Sequence, residues 1–154
     1  MLGQILDGNG IAILIGPRGT GKTQLGVMAG LNLIENTLHA GYATAVRYYK
    51  ARELGMEVRD SFSTKEREES KSFKQFIRPQ LLIIDEVKER LGTEFEQRVL
   101  TSIIDERYDA MKSTIMITNA EPGDLPGLLG PSIMDRCREG GGVIVMDWAT
   151  FRGT

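Results

Sequence analysis

The sequence predicts an α/β fold, a five-stranded parallel sheet sandwiched between two helical layers, and three observations point to it. Five apolar runs of strand length, Ile11–Ile15, Ala43–Tyr49, Leu81–Ile84, Ser113–Thr118 and Val143–Trp148, alternate with segments of helical periodicity. The first run passes straight into Gly16-Pro17-Arg18-Gly19-Thr20-Gly21-Lys22-Thr23, the G-x-x-x-x-G-K-[ST] spacing of a phosphate-binding loop, and a helical pattern follows. The third run ends in two carboxylates, Asp85 and Glu86. In an open parallel sheet the carboxyl ends of the strands are where ligands bind. Pattern alone leaves the strand order open.

The bulk properties set wide bounds. A chain of 154 residues, 41% hydrophobic and 26% charged, reads as one soluble globular domain over residues 1–154. A net charge of -2 excludes a uniformly basic nucleic-acid coat but not a local basic groove. The single cysteine, Cys137, excludes an internal disulfide and reads as a small helix residue. With no signal peptide or membrane-length apolar run, the expected compartment is cytoplasmic, without a membrane partner.

Taken in order, Met1 to Gly10 is a short lead-in closed by a turn signal at Asp7-Gly8-Asn9-Gly10. The glycines at 16, 19 and 21 allow the loop to curl so that successive N–H groups face inward toward phosphate oxygens. The helix beginning near Lys22 adds its positive end. Lys22 is suited to reach the β- and γ-phosphates, and the Thr23 hydroxyl to coordinate Mg²⁺. Gln24 continues the phosphate-facing turn into this helix, which is expected to run to about Leu38 and stop before Gly41. His39 in its last turn suits the helix C-terminus better than catalysis.

After the strand at Ala43–Tyr49, a helix from Ala51 places Leu54, Val58 and Phe62 along one side, with Arg52 and Arg59 nearby. Ser61 to Ser72 is densely charged with mixed signs and reads as a connector; a short helix over Ser72–Ile77 ends before Pro79. Asp85, at the tip of the next strand, is placed to hold Mg²⁺ opposite Thr23, and Glu86 to polarise an attacking water. Glu94–Lys112 is a long amphipathic helix with Phe95, Val99, Leu100, Ile103, Ile104 and Tyr108 as apolar positions. The strand Ser113–Thr118 ends in Asn119, a polar residue able to hold that water, or simply a turn residue. Glu121–Pro126 reads as loop, Pro131–Glu139 as a short helix carrying Arg136 and Arg138, and Gly140–Gly142 as its break.

These residues carry a resemblance. The loop at 16–23, Leu81-Leu82-Ile83-Ile84-Asp85-Glu86 and Ile117-Thr118-Asn119 are similar to Walker A, Walker B and sensor 1 of AAA+ ATPases. The stretches Leu128–Arg138 and Asp147–Arg152 resemble the C-terminal part of DnaC/DnaI-type replicative helicase loaders, and the related IstB transposition ATPases share much of this. The resemblance implies a P-loop NTPase fold with ATP/ADP and Mg²⁺ as ligands, and weak ATPase activity unless subunits assemble. It implies that Arg136 is an arginine finger acting in trans and that Arg152 senses nucleotide. Partners would be a DnaB-type helicase, single-stranded DNA and further copies of the chain. Arg52, Arg59 and Phe62 fall where these loaders face single-stranded DNA, although Phe62 also fits an apolar stripe. Set beside the loaders, the sequence is expected to be an ATPase domain without their N-terminal helicase-binding region, and the expected lack of a C-terminal lid domain suits them and counts against an initiator-type AAA+ protein. The alternatives are an IstB-type transposition helper and a small P-loop kinase.

Overall fold

The computed structural model describes residues 2–7, 10–37, 46–63, 73–87 and 94–150, with the side chains of residues 4–6 and 60–63 outside that description. Its elements are α1 (Leu2–Asp7), β1 (Ile11–Ile15), α2 (Lys22–Thr37), β2 (Val46–Lys50), α3 (Ala51–Ser63), α4 (73–77), β3 (Leu81–Asp85), α5 (Glu94–Asp109), β4 (Ser113–Thr118), α6 (Leu125–Gly140) and β5 (Gly142–Val145). The five strands form one sheet in the order β2-β3-β4-β1-β5, and every pairing is parallel. This is the architecture expected from the sequence, now with its strand order.

The three central strands are apolar throughout because helices cover both of their faces. All residues of β1, β3 and β4 are buried. One face packs Ile11, Ile13, Leu82, Ile84 and Met116 against the layer of α3, α4, α5 and α6. The other packs Ala12, Leu14, Leu81, Ile83, Ile115 and Ile117 against α1 and α2. The α2 layer lies close: a Cβ at Gly26 would stand 3.0 Å from Ile117, and one at Gly30 3.0 Å from Val46. Closely seated, α2 holds its N-terminal turn against the carboxyl ends of the central strands.

Several boundaries differ from the sequence expectation. Leu2–Asp7 is helical where a lead-in was expected. α3 continues to Ser63, into the expected connector. The long amphipathic helix ends at Asp109, not Lys112: Met111 takes φ 55, and the Lys112 N–H closes back onto the Arg107 carbonyl at 2.9 Å. The expected loop at 121–126 is a 3₁₀ turn at Pro122–Asp124 running into α6. Proline is tolerated in a first helical turn, where its missing N–H has no partner to lose. Gly130, at φ 79, breaks α6 just before Pro131, so the helix expected from Pro131 is its second half. β5 stops at Val145, short of Trp148. Leu38, His39, Gly41 and the start of the expected second strand lie outside the described residues.

Candidate active site

Strand order decides what can meet. β4 lies between β1 and β3, so the phosphate loop after β1, Asn119 after β4 and the acidic tip of β3 share one edge. They line a cavity of about 910 Å³ together with Arg18, Gly19, Gly21, Lys22, Thr23, Gln24 and Glu86. That volume suits a nucleotide-sized ligand.

The loop is held from three sides. Gly16, Gly19 and Gly21 all take positive φ, at 140°, 84° and 88°. Gly16 has a second reason to be glycine, since a Cβ there would overlap the Met146 carbonyl that follows β5. The Met146 N–H bonds the Ile15 carbonyl at 2.8 Å, and the Trp148 indole N–H donates to the Thr20 carbonyl at 3.1 Å. The Thr20 hydroxyl, itself buried, donates to Pro17 O at 3.0 Å. The tail beyond β5 therefore braces the loop, a role sequence reading missed because Trp148 and Thr20 lie far apart in the chain.

Lys22 is 6% exposed, and its ammonium bonds the carbonyls of Gly16 at 2.7 Å and Pro17 at 2.6 Å, with Thr20 Oγ1 at 3.4 Å. Burial lowers its pKa, and the Asp85 charge partly offsets that. Across the cavity mouth the Thr23 hydroxyl donates to Asp85 Oδ2 at 2.7 Å, which brings together the two residues expected to face a cation.

Asp85 is the most engaged group of the site. Oδ2 also accepts from the Tyr48 hydroxyl at 2.8 Å, and Oδ1 accepts the Glu86 N–H at 2.7 Å. Burial first, then the Asp85 hydrogen bond, pushes the Tyr48 phenol well above its ordinary range. Glu86 sits at φ 58, a left-handed conformation that costs a non-glycine residue about 1–3 kcal/mol. Its carboxylate pairs with Lys50 at 3.0 Å. Lys50 and Asp85 are register partners on β2 and β3, so Lys50 and Tyr48 reach the acids from the same side of the sheet. Neither was singled out in the sequence; the signal was a strand ending Tyr-Tyr-Lys that had no fixed neighbour.

The other candidates divide. Arg136 lies on α6 away from the cavity. It bonds Ser132 Oγ at 2.8 Å, pairs with Asp105 at 3.3 Å and stacks over the Tyr108 ring at 5.0 Å, while its Nε has no hydrogen-bond partner among the described residues. Arg52 is exposed on α3. Arg59 leans on α5, 3.7 Å from Glu96 and over the Phe95 ring at 5.5 Å. Phe95 packs partly buried against the core, as its spacing suggested. The Phe62 side chain and Arg152 lie outside the described residues. Among the described residues, no helix is long and apolar enough to cross a membrane.

The donor set fits a triphosphate with its divalent cation. The loop takes the positive-φ glycine turns of a phosphate cradle, the Lys22 ammonium rests on carbonyls of its own loop beside the cavity, and a hydroxyl faces a carboxylate at bonding distance. Fold and cleft together define a P-loop domain of AAA+ type. Over residues 4–134 the chain matches the family described as IstB-like ATP binding protein, and it belongs to that family.

Individual relatives agree. The replicative helicase loader DnaC of Escherichia coli (strain K12) is 25% identical over 148 residues, 95% of this chain and 58% of the relative. An uncharacterized protein of the same organism, YdaV, is 31% identical over 138 residues, 89% of this chain and 53% of that one. The chain thus spans a little over half the length of these curated relatives. Among solved structures, the DnaC helicase loader superposes with a TM-score of 0.76 at 22% identity, covering 92% of this chain and 81% of the other. The replication initiator DnaA bound to AMPPCP and single-stranded DNA gives 0.77 at 20% identity, covering 96% and 44%. At these identities the likeness establishes the fold. The family's description associates the chain with ATP binding.

Proposed function

We propose that the chain is the ATP-hydrolysing part of a replicative helicase loader, working on single-stranded DNA as an assembly of copies. The observation that carries this reading is the 2.7 Å hydrogen bond from Thr23 to Asp85, which joins the phosphate loop to the acidic strand tip across one cavity. The similarity to the replicative helicase loader DnaC over 95% of the chain supports a replicative helicase as partner, which the resemblance read from the sequence makes one of DnaB type.

Each residue then has a task. The backbone amides from Gly16 to Thr23, with Pro17, Arg18, Thr20 and Gln24 shaping the turn, would cradle the β- and γ-phosphates. Lys22 would trade its loop carbonyls for phosphate oxygens, a stronger charge-assisted pairing. Thr23 and Asp85 would hold Mg²⁺, which when bound neutralises developing phosphate charge. Glu86 would leave Lys50 and accept a proton from the attacking water, which Asn119 would orient. Arg136 would leave Asp105 and act at a neighbouring copy's site, where a guanidinium stabilises the spreading negative charge. Exposed Arg52 on α3 would meet DNA phosphates, with Arg59 and Phe62 contributing from the same helix. Arg152 would sense the nucleotide from beyond β5.

The test combines binding and turnover. Lys22→Ala should weaken binding of a fluorescent ATP analogue by about 100-fold, and Arg136→Ala should retain binding while losing DNA-stimulated phosphate release. Full stimulation in the Arg136 variant would reject its role in trans. The match to the IstB-like family favours a second reading, a transposition helper that binds duplex DNA. Retention on duplex DNA without capture of a replicative helicase would select it. Phosphate transfer to an added metabolite would instead select the kinase.

A further inference from the structure

Tyr48 and Tyr49 are chain neighbours on an edge strand and face opposite ways, as strand residues must. Tyr49 is part of the core: its ring meets Phe76 edge-on at 5.0 Å between centroids. Tyr48 belongs to neither apolar cluster and is 39% exposed. Its hydroxyl sits on Asp85 Oδ2 at 2.8 Å, the same oxygen that receives Thr23 at 2.7 Å.

We propose that Tyr48 is a positioning residue for Asp85, holding its carboxylate from β2 so that it stays aimed into the cleft beside Thr23. This rests on the nucleotide–cation reading given above. Among the described residues the Asp85 carboxylate has three donors: Thr23, Tyr48 and the Glu86 N–H. A Thr23 hydroxyl that coordinates a cation uses an oxygen lone pair and keeps its hydrogen for Oδ2, so both side-chain donors can hold that oxygen while a cation is bound. The Glu86 N–H reaches Oδ1, whereas Oδ2 is shared by Thr23 of the phosphate loop and Tyr48, which holds it from β2. Partners that orient a metal-facing group without touching the metal commonly control its affinity. A phenol on β2 does this well because β2 and β3 are locked in register, Tyr48 beside Ile83 and Lys50 beside Asp85. The hydroxyl is thus carried by a rigid strand.

The experiment measures binding of a fluorescent ATP analogue over a range of Mg²⁺ concentrations and in EDTA. Tyr48→Phe removes the one oxygen and keeps the ring. The expected result is a rise of about 10-fold in the Mg²⁺ concentration at half-saturation, with binding in EDTA unchanged. Tyr49→Phe, which removes the matching hydroxyl on the opposite face, should leave the Mg²⁺ midpoint unchanged. Equal midpoints in Tyr48→Phe and wild type would overturn the proposal. So would an equal loss with and without Mg²⁺, which would place Tyr48 with the phosphate cradle. A wild-type chain that binds no nucleotide under either condition would instead overturn the nucleotide reading itself.

Discussion

Two buried cations at opposite edges of the sheet show how differently one chemistry can be used. Lys22, at the carboxyl edge, rests on two loop carbonyls and a hydroxyl beside an open cavity. Arg107, near the amino ends of β3 and β4, is fully buried and pairs with no carboxylate among the described residues. Its guanidinium donates to the carbonyls of Phe76 at 2.7 Å, Ile77 at 3.3 Å, Pro79 at 3.0 Å and Gln80 at 3.5 Å. It also donates to Thr114 Oγ1 at 2.9 Å and to the Ser113 carbonyl. Burial brings its pKa down to about 9, so it stays charged at neutral pH. The rigid five-donor fork ties the segment after α4 to the start of β4. The lysine ammonium, with three rotatable donors, can release its carbonyls to a ligand entering from the open side. A cation satisfied by carbonyls is structural when enclosed and exchangeable when one side is open.

Replacing the enclosed cation should have the largest effect. Arg107→Met leaves several buried carbonyls without donors, each costing about 1–3 kcal/mol, so stability should fall by more than about 3 kcal/mol in urea unfolding. A change under about 1 kcal/mol would mean the cage is not what fastens that edge. Lys22→Ala should behave in the opposite manner. Nucleotide affinity should drop by about 100-fold, the worth of one or two charge-assisted hydrogen bonds, while the urea midpoint of the unliganded chain stays near wild type. If Lys22→Ala unfolds the chain, the two cations are alike and the contrast is broken.

Smaller effects sharpen the contrast. Arg136 lies between the extremes, partly exposed with Asp105 and over Tyr108. Arg136→Ala should lower stability by no more than about 1 kcal/mol, the range of a partly exposed ion pair, as thermal melts without nucleotide would show. Cys137 probes the closed layer: it is 2% exposed, its thiol lies 3.5 Å from the Ile11 carbonyl, and burial raises its pKa. The folded chain therefore keeps this proton to higher pH than the unfolded chain, so its contribution to stability is complete below pH 9.0 and declines above it. At pH 8 a thiol reagent should leave the native protein unmodified and label it in urea. Fast native labelling would mean that the α6 layer opens readily.

What could be read from the chain alone was local. A phosphate loop, three apolar runs buried on both sides and a strand ending in two acids are contiguous patterns, and β1, β3, β4 and their tips fall where those patterns lie. Reading failed where a local rule allows two outcomes. Pro126 at the start of a helix reads like loop, and a glycine-proline break at 130–131 hides the first half of α6. Tertiary structure alone decided strand order, and with it the contacts that no motif announced: Tyr48 on Asp85, Lys50 on Glu86, Trp148 on Thr20, and the cage around Arg107. Periodicity records which face of an element is apolar, whereas polar partners are chosen only when parallel strands settle side by side, and that choice depends on packing across the whole sheet.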